Sequence, residues 1–104
     1  MKNENFEIAQ EDVPEGVKFI LRGRLNAANA DELQLKLDEA IKNGQINVIL
    51  NMLWVEYLCS AGIRVILKAY KDLGASGGKF GIENASQNVK NVLGMVALSE
   101  MLIN

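Results

Sequence analysis

Two segments near the start of the chain alternate apolar and polar residues, which is typical of half-buried strands. The apolar positions are Phe6 and Ile8 in the first segment and Val17, Phe19 and Leu21 in the second. Between them, Pro14-Glu15-Gly16 is a turn signal. Because this connection is short, we expect the two strands to pair antiparallel.

Apolar residues spaced three and four apart predict three helices. Their apolar faces are Leu33, Leu37, Ala40 and Ile41, then Ile63, Ile66, Leu67 and Tyr70, and finally Val89, Val92, Leu93 and Val96. Asn29 and Glu32 are expected to form a capping box at the start of the first helix, and Gly44 to end it. Ser60 is expected at the first position of the second helix, and Ser86 is expected to cap the third.

Two further strands are predicted between the helices. The first is the short buried run Ile46, Val48, Ile49 and Leu50. A connecting loop is expected to follow it and to end at Cys59-Ser60-Ala61-Gly62. Residues 79–83 predict the last strand, after a glycine-rich turn, and residues 101–103 either add a short strand or pack as a tail. The order ββαβαβα predicts an α/β fold, with one domain over residues 1–104 and a mixed four- to five-stranded sheet covered by helices.

Charge and composition exclude several classes of partner. The 104 residues carry a net charge of −2 and contain no basic block, so we expect no nucleic-acid partner. The longest apolar-rich stretch is interrupted by Asn51, Glu56 and Arg64, and the N-terminus lacks a run of apolar residues typical of a secretory signal, so no membrane insertion is expected. Cys59 is the only cysteine, which fits a reducing compartment. The sequence therefore predicts a soluble cytoplasmic protein.

The absence of histidine restricts the chemistry further. It rules out Ser–His and Cys–His nucleophile pairs and imidazole metal ligands. No acidic cluster has metal-ligand spacing, and no glycine-rich phosphate loop opens a helix. We therefore expect a protein that is not an enzyme, with no catalytic residue, cofactor or metal.

Three residues of the central segment invite a functional interpretation. Ser60 would meet unpaired amide groups at a helix start, where a phosphate is well accommodated, but it could equally be only an N-cap. Cys59 is either a redox-sensitive thiol or, more commonly, a small hydrophobic residue. Trp54 either anchors an exposed binding surface or folds back over the core.

Two motifs carry a family resemblance. One reads ILNMLWVEYLCSAGIRVIL, a buried strand followed by a turn and an amphipathic helix, and the other is Gly23-Arg24-Leu25-Asn26. Together with the element order, they resemble the STAS domain of bacterial anti-sigma factor antagonists. The resemblance implies that an anti-sigma factor serine kinase phosphorylates Ser60 and that a serine phosphatase reverses the modification. The unphosphorylated form would bind the kinase and so free the sigma factor.

We also predict a set of partner-binding residues, namely Asn26, Trp54, Cys59, Ser60, Ala61, Gly62 and Arg64, in which Trp54 is included as an aromatic interface anchor and not because of the resemblance. Asn26 and Cys59 stand where the family usually has Asp, and this departure leaves a second interpretation open. The chain would then be a non-phosphorylated STAS scaffold, such as a subunit of a phospholipid ABC transporter or of a signalling complex. A small enzyme or nucleotide-binding domain is a third, disfavoured alternative.

Overall fold

Four strands and three α-helices alternate along the chain in the predicted order ββαβαβα. A computed structural model describes residues 6–95 and 99–103. The elements are β1 (Phe6–Val13), β2 (Gly16–Leu25), α1 (Ala27–Lys42), β3 (Asn47–Leu58), α2 (Ser60–Ala75), β4 (Lys79–Glu83), α3 (Gln87–Met95) and a 3₁₀ turn (Ser99–Met101). The predicted fold class is therefore confirmed. Val96, expected on the apolar face of α3, lies outside the described residues.

The sheet has the order β1-β2-β3-β4. β1 and β2 form the expected antiparallel hairpin, while β2, β3 and β4 run parallel. The hairpin turn places Glu15 in the left-handed region, with φ 62. At the far edge, Leu102 makes a single parallel bridge to Ile82, so the tail adds a contact to β4 and not a full strand.

α1 and α2 cover one face of the sheet. The crossovers β2–α1–β3 and β3–α2–β4 both lead to the next strand on the same side in the sheet order. Because such parallel connections are right-handed, both helices lie on the same face of the sheet. The core between sheet and helices includes Phe19, Leu21, Leu50, Met52, Leu33, Leu37, Ile66 and Leu73, each almost fully buried. We call the opposite side of the sheet the open face.

A polar network crosses the open face. The Lys18 ammonium lies 2.9 Å from the Glu83 carboxylate, and the Asn51 amide donates to the same carboxylate at 3.0 Å. The hydrogen bond with Lys18 holds the pKa of Glu83 below its usual value, and the same contact raises the pKa of Lys18. The network ties β2, β3 and β4 together.

β3 is longer than predicted, because residues 51–58 continue as strand where a loop was expected. Two register shifts against β2 each insert one extra residue into β3. As a result Met52, Val55 and Leu58 point into the core at every third position. The prediction of a loop was wrong because a bulged strand does not show the alternation of a regular one.

The bulged half of β3 extends beyond β4, and the start of α3 takes the place of a neighbouring strand. The Ser86 amide donates to the Met52 carbonyl at 3.3 Å, and the Ser86 hydroxyl donates to the Val55 carbonyl at 2.8 Å. The side-chain amide of Asn88 donates to the Glu56 carbonyl at 3.1 Å. The Ser86 oxygen also accepts from the Val89 amide at 3.4 Å, which confirms the predicted cap.

The cap of α1 differs from the prediction. Asn26, not Asn29, is the N-cap, and its side-chain oxygen accepts from the Asn29 amide at 3.0 Å. Asn29 lies inside the first turn and is buried, with its own side chain donating to the Arg24 carbonyl. The predicted capping box of Asn29 and Glu32 is therefore wrong, since Asn29 already belongs to the helix. At the other end the helix stops at Lys42, shortly before Gly44, as predicted.

Candidate functional site

Two helices begin side by side at one end of the sheet. β2 and β3 are parallel neighbours, with Leu25 paired to Leu58, so their carboxyl ends meet. α1 starts just after Leu25 and α2 just after Leu58, and the Cys59 amide donates to the Leu25 carbonyl at 3.1 Å. We call this end the rim, defined by Asn26 with Ala27 and Cys59 with Ser60.

Ser60 is the first residue of α2 and is exposed. The N-cap is Cys59, so the interpretation of Ser60 as only an N-cap is wrong. The Cys59 side chain makes no capping hydrogen bond, and neither α1 nor α2 has an acidic residue in its first turn. The positive ends of two helix dipoles therefore meet at the rim without a compensating carboxylate in either first turn.

The remaining rim residues have different surroundings. Arg64 is exposed one turn after Ser60, and Ala61 is half-buried. Gly62 is buried, and a Cβ built there would lie 2.8 Å from the Leu58 Cδ1 atom. Close packing of α2 on the strands therefore accounts for this glycine without any partner contact.

Trp54 lies apart from the other predicted partner-binding residues. Its side chain is 53% exposed and sits on the open face, where the Arg22 guanidinium lies 5.5 Å from the ring centroid. The expectation that Trp54 folds back over the core is wrong. The structure thus gathers Asn26, Cys59, Ser60, Ala61, Gly62 and Arg64 around the rim and places Trp54 along the strand.

A second stacked pair was not anticipated from the sequence. The Arg24 guanidinium lies 4.5 Å from the centroid of the Tyr57 ring, and Tyr57 is 42% exposed. Tyr57 is exposed, whereas the neighbouring Leu58 is buried and seals the boundary between sheet and helix. One signal for this pair was present in the sequence. Trp54 and Tyr57 are three residues apart, as are the buried residues that directly follow them, Val55 and Leu58.

Within residues 6–95 and 99–103, no group of three or more His, Cys, Asp or Glu side chains could hold a metal ion. No helix of that same part is long and apolar enough to cross a membrane.

Comparison with known families identifies the class of protein. The STAS domain family matches residues 7–103, so the chain belongs to that family. The resemblance found in the motifs is thereby confirmed.

Individual relatives carry related names. An anti-sigma F factor antagonist of Paenibacillus polymyxa is 28% identical over 83 residues, covering 79% of this chain and 71% of that protein. BtrV of Bordetella bronchiseptica, provisionally named an anti-sigma factor antagonist, is 38% identical over 53 residues. That match spans 51% of this chain and only 46% of BtrV.

Solved structures of the antagonist SpoIIAA from Bacillus share the fold. The unphosphorylated form superposes with a TM-score of 0.84 at 23% identity, covering 93% of this chain and 86% of SpoIIAA. The phosphorylated form gives 0.78 at 20% identity, covering 93% of this chain and 89% of that one. At this level of identity the likeness establishes the fold alone.

Proposed function

We propose that this chain is an anti-sigma factor antagonist that binds an anti-sigma factor serine kinase through the rim. Ser60 is the phosphate acceptor, and a serine phosphatase restores the binding-competent form. The observation that carries the proposal is the exposed hydroxyl of Ser60 at the first position of α2, within a STAS domain. The names of the relatives from Paenibacillus and Bacillus agree with it.

The rim is suited to carry a phosphate without unfolding. A phosphoserine brings about −1.5 to −2 charges at neutral pH. At the start of α2 that charge meets amide donors and the positive end of the dipole, an interaction of roughly 0.3–1 kcal/mol. Arg64 follows Ser60 at i+4, the spacing at which side chains on a helix are neighbours. The phosphorylated domain is therefore expected to stay folded.

The two departures from the family's usual Asp have a physical consequence at the rim. Asn26 uses its side-chain oxygen to cap α1 and adds no negative charge. Cys59 leaves the first-turn amides of α2 without a side-chain acceptor. A phosphate on Ser60 would compete there with water and not with a fixed carboxylate. This arrangement supports the phosphorylated interpretation over the scaffold.

The switch acts on the partner and requires no rearrangement of the domain. A protein surface packed against Ser60 in its unmodified form would have to bury a dianion after modification, which costs several kcal/mol unless new cations are supplied. A penalty near 4 kcal/mol weakens binding about a thousandfold. Local exclusion at one hydroxyl is sufficient for partner release.

The proposal is tested with the anti-sigma factor kinase from the same organism. After incubation with ATP, intact-mass analysis is expected to show one added phosphate, which Ser60→Ala abolishes. Ser76→Ala is the matched control, because Ser76 is an exposed serine at the opposite end of α2. Calorimetry is expected to show tight binding of the unmodified chain and a loss of at least about a hundredfold after phosphorylation.

Two results would contradict the proposal. Phosphate on a serine other than Ser60 would refute the assignment of the acceptor. Binding to an ATP-binding transporter subunit, with no phosphate transfer from any kinase partner, would favour the scaffold.

A further inference from the structure

Two arginine–aromatic pairs form a continuous surface on the open face. Arg22 pairs in register with Trp54, and Arg24 with Tyr57, so each guanidinium lies over the ring on the neighbouring strand. In a regular strand, residues 54 and 57 would point to opposite faces. The second bulge in β3, between Val55 and Tyr57, brings both rings to one side. We call these four residues the aromatic–arginine patch.

The patch has the composition of a protein interface. Trp, Tyr and Arg are the residue types most enriched among side chains that dominate binding energy. Both rings are about half exposed, whereas the helices α1 and α2 cover the other face of the sheet. Each guanidinium lies over its ring in a cation–π contact, which does not use the N–H donors that a carboxylate would accept from.

The groove beside the patch carries two positive and two negative side chains. The groove that contains Arg22, Arg24 and Trp54 is also lined by Glu7 and Glu56. Within residues 6–95 and 99–103, neither arginine has a carboxylate within 4.0 Å, and neither glutamate has a cation within that distance. A purely acidic segment would meet the two glutamates, and a purely basic one the two arginines. The groove therefore fits a surface that carries both signs.

We propose that the occupant of the patch is a second copy of this chain. Glu7 and Arg22 are cross-strand neighbours in β1 and β2. A two-fold axis that lies in the plane of contact, along the strands and between these two side chains, places Glu7 of each copy against Arg22 of the other, as a self-complementary interface requires. The rings of Trp54 and Tyr57 supply the apolar part of the contact. The rim lies at the end of the sheet, so Ser60 of each copy stays accessible in the dimer.

Analytical ultracentrifugation across a concentration series tests the dimer. The wild-type chain is expected to show a monomer–dimer equilibrium with a Kd below about 100 μM. The double variants R22E/R24E and E7R/E56R are each expected to be monomeric, because every charged side chain of the groove then has one sign. An equimolar mixture of the two is expected to form a heterodimer, since the all-negative groove faces the all-positive one.

Two apolar substitutions locate the contact. Trp54→Ala is expected to weaken the dimer at least about tenfold. Leu35→Ala is its control, because Leu35 is 71% exposed on α1, away from the open face, and should leave the dimer unchanged. Ser60→Glu should also leave it unchanged. Circular dichroism confirms that each variant is folded before its mass is interpreted.

Three results would overturn the inference. A wild-type chain that remains monomeric up to about 1 mM has no such dimer. Failure of the two charge variants to associate when mixed rules out the pairing of Glu7 with Arg22. A wild-type monomer whose patch variants lose binding to the anti-sigma factor assigns the patch to that partner instead.

Discussion

Two glycines in α2 provide a test of how tightly the rim is packed onto the sheet. At Gly62, an added Cβ would lie 2.8 Å from Leu58 Cδ1 and 2.9 Å from Leu25 Cγ. At Gly74, near the other end of the same helix, nothing lies within 4 Å of the added atom. Gly62→Ala and Gly74→Ala thus make the same chemical change in one helix, in a packed and in an open environment.

The expected free energies follow from two opposing effects. Replacing glycine by alanine inside a helix favours the helix by roughly 0.5–1 kcal/mol. At Gly74 nothing opposes this gain, although the position near the helix end reduces it. At Gly62 the methyl group must displace two leucine side chains, and such overpacking costs about 1–3 kcal/mol. We therefore expect Gly74→Ala to be neutral or stabilising and Gly62→Ala to be the less stable of the two by about 1–3 kcal/mol.

Urea and thermal unfolding followed by circular dichroism measure this difference. In a domain of this size, 1 kcal/mol corresponds to roughly 4–8 °C in Tm, so the two variants should be readily separated. Equal stabilisation by both substitutions would refute the reasoning, since it would mean that α2 moves away from Leu25 and Leu58 at no cost. If Gly62→Ala also weakens partner binding, displacement of the first turn of α2 would explain the loss, because Gly62 lies two residues after Ser60.

Three further substitutions test the caps and the polar network. Asn26→Ala should lower the free energy of unfolding by about 0.5–2 kcal/mol, while Asn26→Asp retains the acceptor and should not; equal losses would exclude the capping role. Ser86→Ala removes the hydroxyl bonded to the Val55 carbonyl and should cost about 1–3 kcal/mol in urea unfolding, and an unchanged midpoint would contradict that bond. Because the hydrogen bond with Lys18 lowers the pKa of Glu83, the carboxylate stabilises the fold above the ordinary pKa of 4.5, and this stabilisation is lost as the pH falls through the folded pKa. Glu83→Gln should therefore have a lower free energy of unfolding than wild type at pH 7, and the two values should converge in acid. A difference in free energy of unfolding that persists at pH 2 would point to a cause other than charge.

Regular periodicity made most of the architecture predictable from sequence. The alternation in β2 and the three- and four-residue spacing in α2 are undisturbed, and both elements were predicted correctly. Ser60 was placed correctly because a strong helical pattern begins directly after Cys59. These features depend on local spacing, which a single sequence shows directly.

The features that were missed depend on tertiary pairing. The bulges of β3 are defined by its register against β2, so the outward direction of Trp54 and Tyr57 could not be read from local alternation. The cap of α1 was misassigned because Asn26 and Asn29 are both good N-cap residues, and only the backbone path decides between them. The stacking of Arg24 on Tyr57 likewise needed the strand pairing.

The coincidence of strand order with chain order bears on how the polypeptide assembles during synthesis. Each strand joins the edge left by the previous one, and none has to be inserted between two that are already paired. A nascent chain emerging N-terminus first can therefore extend its sheet stepwise. All the residues that surround Ser60 at the rim are present once α2 has emerged. The Val55 and Glu56 carbonyls, in contrast, gain their hydrogen-bond donors only when Ser86 and Asn88 have been synthesised. Chains truncated just before residue 86 should thus already display the rim, while the Val55 and Glu56 carbonyls at the bulged end of β3 still hydrogen-bond water.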